Sequence, residues 1–595
     1  MPDEFQHIRM GGIPMDGGVA FRVWAPHATH VAVVGSFNGW DAGCAPMTAE
    51  GDGNWYGEIG GAQVGDEYKF HLTTPDGDFV RIDPYAREVT GSVGNAVVHE
   101  SGFDWEGDDF HIAPINQLVI YELHVGTFND DDGAAGPGQF ASITARLGHL
   151  QRLGINVIQI MPVAEFAGDR SWGYNPAHIF AVEQSYGGPL ELKRFIKRAH
   201  QCGIAVVLDV VYNHLGPGDL DLWQFDGWSD NGGGGIYFYN DARAVTPWGN
   251  TRPDYGQPQV RQFIRDNLFM WLEEYHFDGL RFDCTQFIRT VNGSQETKLP
   301  EGWSLLQRLN LEIAAAFPGR ITIAEDLQNE ASLTAGVAAG GAAFSAQWDG
   351  KFVHPIRAAV IVADDSQRSL GAIRDALCNN YGDAPFARVI YSESHDEVAN
   401  GKARVPQEID PQDPQGWFAQ KRSTLAAAMV FTAPGIPMLF QGQEFLEGAW
   451  FRDTVPLDWD QNQTFRGIVC LYRDLIALRL NQQGVTRGLT GENTNVYHLD
   501  QARNMLAMHR WHDGGSGDDV IVVANFLDAA QEGYVLGFPS PGTWTLRFNS
   551  DWQGYSEAFA GHPSGDVEAE PGDYDGMPCH GAVSLAGYSV LIYSQ

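Results

Sequence analysis

Residues 204–214 read IAVVLDVVYNH, an apolar, β-branched run that carries Asp209 and closes on Asn213 and His214. A run of this composition predicts a strand buried on both faces, as in a parallel sheet. Upstream lie INVIQIMPV (155–163) and the amphipathic LELKRFIKRAHQCG (190–203), and before them LVIYELH (118–124) and ITARLGHLQRLG (143–154). Apolar strands that alternate with amphipathic helices imply right-handed parallel β/α units. Downstream the alternation resumes through QVRQFIRDNLFMWLEEYH (259–276), FDGLRFD (277–283), WSLLQRLNLEIAAAF (303–317), RITIAED (320–326), ARVIYSES (387–394), KRSTLAAAMVFTA (421–433) and IPMLFQGQ (436–443). Strand candidates fall at 118–123, 156–161, 205–211, 278–283, 321–324, 344–347, 388–393 and 437–440, which makes eight, the number that closes a β/α barrel.

The flanks read differently. GVAFRVWAP, THVAVVGSF, NWYGEIGG and DEYKFHLTT, within residues 18–100, are short alternating strands between Gly, Asp and Asn turns. VYHLD, NMLAMHRW, DVIVVANF, TWTLRFN and YSVLIYSQ follow residue 490 in the same style. The predicted architecture is therefore multidomain: a β-sandwich over 1–110, a central (β/α)8 barrel over 111–490, and a C-terminal β-sandwich over 491–595. The Gly- and aromatic-rich stretch 215–255 is a loop-rich insertion after the third barrel strand, and long irregular insertions are usually functional.

Composition narrows the partners. Against 38 Lys and Arg stand 75 Asp and Glu, a net charge of −37 that repels phosphate backbones and anionic lipid, so neither nucleic acid nor membrane is expected. The opening MPDEFQHIRM lacks an apolar core behind a basic start, and no long apolar run follows, which predicts a cytoplasmic protein. Six scattered cysteines without a CxxC pair read as buried thiols rather than a zinc site. The 33 Phe, 20 Tyr and 17 Trp, together with many carboxylates, suit a polyhydroxylated ligand whose C–H faces stack on rings.

In a β/α barrel the chemistry gathers at the C-terminal strand ends. Those ends carry Asp209 and His214, Arg281 and Asp283, Glu325, and His395 with Asp396. One strand-end aspartate taken alone is more often a helix cap; several from separate strands around one mouth are not. Cleavage of an acetal needs one carboxyl to protonate the leaving oxygen and another to meet the oxocarbenium ion, about 5 to 5.5 Å apart in retaining enzymes. Arg281, two residues before Asp283 on one strand, shares its face and favours a charged nucleophile there. Glu325 must hold a proton near neutrality, which requires an apolar or like-charged environment, and the other two carboxylates provide the latter.

The segments Asp209-Val-Val-Tyr-Asn213-His214, Gly279-Leu-Arg281-Phe-Asp283, Ala324-Glu325-Asp326 and Ser394-His395-Asp396 resemble, in order and spacing, the four sequence regions of glycoside hydrolase family 13, the α-amylase family. FRVWAP, VVGSFNGW and Tyr68-Lys69-Phe70 resemble the carbohydrate-binding module of family 48. The resemblance implies that Asp283 is the nucleophile, Glu325 the general acid/base and Asp396 the transition-state stabiliser. It further implies that Arg281, Asp209 and His214 position nucleophile and sugar, that His395 binds sugar hydroxyls, and that Tyr174 in Ser171-Trp-Gly-Tyr-Asn-Pro is a stacking platform. In many members of the family the residue matching Asn213 binds calcium; no cofactor or metal is assigned here.

Within the family, His395-Asp-Glu-Val-Ala-Asn-Gly-Lys402 and Gly442-Gln-Glu-Phe445 with Leu457-Asp-Trp459 resemble glycogen branching enzymes. Tyr121-Glu-Leu-His-Val-Gly-Thr-Phe128, Asp209-Val-Val-Tyr-Asn-His-Leu-Gly-Pro217 and Thr246-Pro-Trp-Gly249 resemble maltooligosyltrehalose trehalohydrolases. Cys284-Thr-Gln-Phe287 departs from both. The expected activity is that of a retaining enzyme acting on α-glucan, with transfer to form α-1,6 branches placed ahead of hydrolysis, and a glycogen-binding scaffold without catalysis third. Trp24, Trp40, Trp55 and Tyr68 are the N-terminal rings available to glucan, and Trp223, Trp228, Tyr237, Phe238 and Tyr239 those available to wall an acceptor.

Overall fold

The computed structural model describes residues 10–130, 136–382 and 384–595; the opening MPDEFQHIR lies outside them. Eight parallel strands close a barrel: β1 (Ile120–Leu123), β2 (Val157–Ile160), β3 (Ala205–Val210), β4 (Gly279–Phe282), β5 (Ile321–Ala324), β6 (Ala346–Trp348), β7 (Arg388–Ile390) and β8 (Ile436–Phe440). β8 pairs back onto β1. All eight strand candidates form, and the short β6 is a strand because Gln347 and Trp348 pair with Arg388 and Val389 of β7.

Every residue of these strands is buried, which is why their sequence does not alternate. Although Trp417–Thr432 is buried all round, most of the helices that follow the strands are one-sided. Gly188–Gln201, for example, buries Leu192, Phe195, Ile196 and Ala199 on the barrel side and ends on Arg198 and His200, which suit the negative end of its dipole.

The N-terminal strands form two sheets. Gly18–Trp24 and Asn54–Gly60 lead one, with Gly11–Met15 and Thr48–Gly51; His30–Gly35 and Glu67–Thr74 lead the other, with Gly77–Arg81 and Ala96–Val97. Val19, Phe21 and Val23 from the first sheet meet Val31, Val33, Phe70 and Leu72 from the second in a shared core. The C-terminal unit has eight strands, not the five read from sequence. Gln531–Phe538, Val567–Tyr574 and Met577–Leu585 escaped because Glu, Gly and Pro interrupt them; their inward residues Leu536, Phe538, Val567, Val583 and Leu585 pack on Met505, Ile521 and Leu591 across the core.

Two expectations are corrected. Of the six cysteines only Cys284 and Cys579 are buried, whereas Cys44 and Cys378 are exposed. Tyr237 and Trp228 of the insertion do not wall the barrel mouth but pack on the N-terminal sandwich. Tyr237 meets Trp24 edge-on at 5.5 Å, and Trp228 stacks on His27 at 4.8 Å. Asp226 accepts from the main-chain nitrogen of His27 at 3.0 Å and lies 2.8 Å from its ring Nδ1, while Arg81 donates to the Phe225 and Gln224 carbonyls. These rings and ions clamp the insertion to the N-terminal sandwich, which leaves them buried or half-buried. Among the described residues no helix is long and apolar enough to cross a membrane.

Candidate active site

At the C-terminal end of the barrel the parallel register sets Asp209 of β3 beside Arg281 of β4, so that their side chains meet inside the mouth. Arg281 Nη1 donates to both oxygens of Asp209, at 2.8 and 2.7 Å, and to Asp283 Oδ1 at 3.0 Å. Its Nη2 lies 3.4 Å from Glu325 Oε2. One guanidinium, buried on the indole of Trp348 at 4.4 Å, thus gathers carboxylates from β3, β4 and β5.

Asp283 receives a second bond from the opposite side, where Asn213 Nδ2 donates to its Oδ2 at 2.7 Å. Asn213 Oδ1 in turn lies 2.5 Å from His214 Nδ1, and His214 Nε2 faces the Tyr174 carbonyl at 2.8 Å. Both ring nitrogens of His214 therefore face acceptors, whereas burial disfavours its charge. The amide of Asn213 is thus bonded on both sides within the mouth. Among the described residues no cluster of three or more His, Cys, Asp or Glu is arranged to hold a metal.

Glu325 Oε2 accepts from the main-chain nitrogen of Cys284 at 2.5 Å. Cys284 reaches that position with a left-handed φ of 43°, rare for a residue with a side chain. Burial raises the Glu325 carboxyl well above the ordinary range; Arg281 opposes the shift, and Asp283 and Asp396 add to it. Of the two causes expected for a raised carboxyl, an apolar setting and like-charged neighbours, the apolar setting is the larger. Thr285 Oγ1 donates to the Glu325 carbonyl at 2.8 Å, and Arg289 grips Asp326 at 2.7 Å, so the loop after β4 fixes the end of β5.

The far wall comes from β7. Tyr174 lies in the turn of a hairpin formed by Ala164–Phe166 and Pro176–Val182. Its hydroxyl donates to Asp209 Oδ2 at 2.6 Å, and its ring stacks on that of His395 at 5.1 Å. Burial would lower the His395 imidazole, but Asp396 and Glu122 outweigh it and raise the ring to about 9, leaving it cationic at neutral pH. The Asp396 side chain is 41% exposed, the most accessible of the three carboxylates proposed for chemistry, against 11% for Asp283 and 4% for Glu325. All eight residues singled out from the sequence converge on this mouth.

Sequence reading missed three neighbours. Trp248, in the Thr246-Pro-Trp-Gly turn, stacks on His214 at 4.7 Å and is 40% exposed. Trp348 lies one residue beyond the strand candidate read at 344–347. Glu122 bonds His395, and a carboxylate inside the apolar run LVIYELH was the signal that could have found it.

The chain matches three family models: carbohydrate-binding module 48 (isoamylase N-terminal domain) over residues 9–86, the alpha amylase catalytic domain over 122–224, and the alpha amylase C-terminal all-beta domain over 497–595. It is 31% identical to a 1,4-alpha-glucan branching enzyme of Corynebacterium jeikeium, over 98% of this chain and 82% of that protein. A 1,4-alpha-glucan branching enzyme of Xanthomonas euvesicatoria is 30% identical over 95% of this chain and 77% of its own length. Among solved structures, pullulanase type I from Bacillus subtilis superposes with a TM-score of 0.77 at 23% identity, covering 100% of this chain and 86% of that one. At that identity the likeness concerns the fold.

Proposed function

This chain belongs to glycoside hydrolase family 13, the α-amylase family, and we propose that it is a 1,4-α-glucan branching enzyme working through a covalent glucosyl intermediate on Asp283. The observation that supports the covalent mechanism is the single Arg281 guanidinium bound to Asp283 on one arm and facing Glu325 on the other, with Asp396 open to solvent beside them.

In this reading a carboxylate oxygen of Asp283 attacks the anomeric carbon as the bond to the leaving oxygen breaks. Glu325 gives that oxygen its proton. Because Oε2 of Glu325 already accepts the Cys284 N–H and faces Arg281, the proton resides on Oε1. Asp396 and cationic His395 hold hydroxyls of the distorted ring, contacts that tighten in the transition state. In the second half-reaction the Glu325 carboxylate takes the proton of an acceptor 6-hydroxyl as that oxygen displaces Asp283, which restores both groups.

Transfer rather than hydrolysis is supported by the two branching-enzyme relatives, which align over nearly the whole chain. Incubation with amylose tests it. New α-1,6 anomeric protons by NMR with little rise in reducing ends are the expected result. A steady rise in reducing ends without branches means a hydrolase, and turnover confined to trehalose-terminated oligosaccharides means a trehalohydrolase.

A further inference from the structure

Glu122 lies one residue before the end of β1. Its register partners are Gln159 on β2 and Phe440 on β8. It is fully buried, and among the described residues its single ion-pair partner is His395. The contact is two-pronged: Oε1 accepts from His395 Nδ1 at 2.7 Å and Oε2 from the His395 main-chain nitrogen at 3.0 Å. Gln159 Nε2 approaches Oε1 at 3.5 Å, and the Glu122 carbonyl accepts from Gln441 N at 2.9 Å, so the carboxylate is itself fixed.

With Nδ1 bound from below, the other ring nitrogen of His395 points to the mouth, where Nε2 lies 3.7 Å from Asp396 Oδ1. Tyr174 covers one face of the ring, and Trp172 meets it edge-on at 5.7 Å. The charged and titratable groups around it are Glu122 and His124 from β1 and its end, Tyr174 from the hairpin, Arg281 from β4, and its own neighbour Asp396. A buried carboxylate is costly unless matched by a cation, and the ring supplies that match only in its doubly protonated form.

We propose that Glu122 is a positioning residue that fixes the tilt of His395 and keeps Nε2–H aimed at the sugar beside Asp396. The proposal deepens the functional reading above and rests on it. Glu122→Gln keeps the shape but offers one acceptor and one amide where two acceptors are needed, so either the ring or the main-chain donor loses its partner.

The test is a double-mutant cycle read as total turnover of amylose, transfer and hydrolysis together, with folding checked by thermal melting. In the native background Glu122→Gln is expected to lower kcat about a hundredfold, the scale of a misaligned catalytic contact, with KM changed far less. In a His395→Ala background the same substitution is expected to change kcat less than twofold. An equal loss in both backgrounds makes Glu122 a structural residue and overturns the proposal, as does wild-type activity in Glu122→Gln. Should the glutamine variant not fold, Glu122→Asp, one methylene shorter, is carried through the same cycle with the same two outcomes. A native enzyme that leaves amylose untouched overturns the functional reading instead.

Discussion

Asn213 and Asp283, on the loop after β3 and the end of β4, are joined by a hydrogen bond of 2.7 Å from the asparagine amide to Oδ2. With Arg281 holding Oδ1 at 3.0 Å, both oxygens of the proposed nucleophile are fixed before substrate arrives. Asn213→Ala should therefore lower kcat by about ten- to a hundredfold without unfolding the protein. Asn213→Asp should cost more, since it sets a carboxylate against Asp283. Steady-state kinetics on maltooligosaccharides checks both, and an unimpaired Asn213→Asp would remove the asparagine from the site.

Asp283→Asn should abolish turnover by about a thousandfold or more while the fold persists. Glu325→Gln should do likewise on natural glucans but lose far less with an aryl α-glucoside whose leaving group needs no proton. Equal losses for Glu325→Gln on both substrates would count against the acid role.

The pH profile follows from the raised Glu325 carboxyl. The acid form is the active one in the first half-reaction, so activity is retained above the ordinary carboxylate range and falls as pH rises through the elevated value. Asp396 contributes to that elevation. In the residual activity of Asp396→Asn the alkaline limb should move to lower pH; a limb that stays in place or moves up contradicts the electrostatic coupling.

A second pH effect concerns stability. His200, at the end of the helix before β3, lies between Asp108 at 2.8 Å and Asp278 at 3.0 Å. Burial works against its charge, yet the two carboxylates raise its affinity for the proton. A group raised in the folded state stabilises fully below its unfolded value of about 6.5 and loses that contribution as pH rises through the folded value. The melting temperature of native protein should exceed that of His200→Gln most at about pH 6 or below, by on the order of a degree or two, and the gap should close on the alkaline side. A gap that widens with pH would falsify the assignment.

Of the four N-terminal rings read as available to glucan, Tyr68 fills the sandwich core, Trp24 is buried against Tyr237 of the insertion and Trp55 is half-buried with its Nε1 on the Ala25 carbonyl. Trp40 is 42% exposed on the loop after His30–Gly35. If this sandwich binds glucan, Trp40→Ala should weaken action on amylose several-fold more than on short maltooligosaccharides, as judged by the ratio of kcat/KM values. An unchanged ratio would leave the module a structural role.

The barrel was legible in the chain because each strand is an apolar run buried on both faces and most of the helices carry a 3.6-residue stripe, patterns that are local in sequence. Asp283, Glu325 and Asp396 were legible because strand ends in a barrel face one mouth whatever lies between them. Tertiary structure alone decided the rest. That one guanidinium serves Asp209, Asp283 and Glu325, that Asn213 turns its amide on the nucleophile, and that Glu122 reaches His395 across 273 positions of chain are consequences of register and closure. The insertion shows the converse. Its aromatic composition suggested an acceptor wall, but whether a ring meets sugar or core depends on what packs against it: the N-terminal sandwich covers Tyr237 and Trp228, whereas Trp248 stays at the mouth on His214. Periodicity reports which face of an element is buried; it carries no information about which distant element buries it.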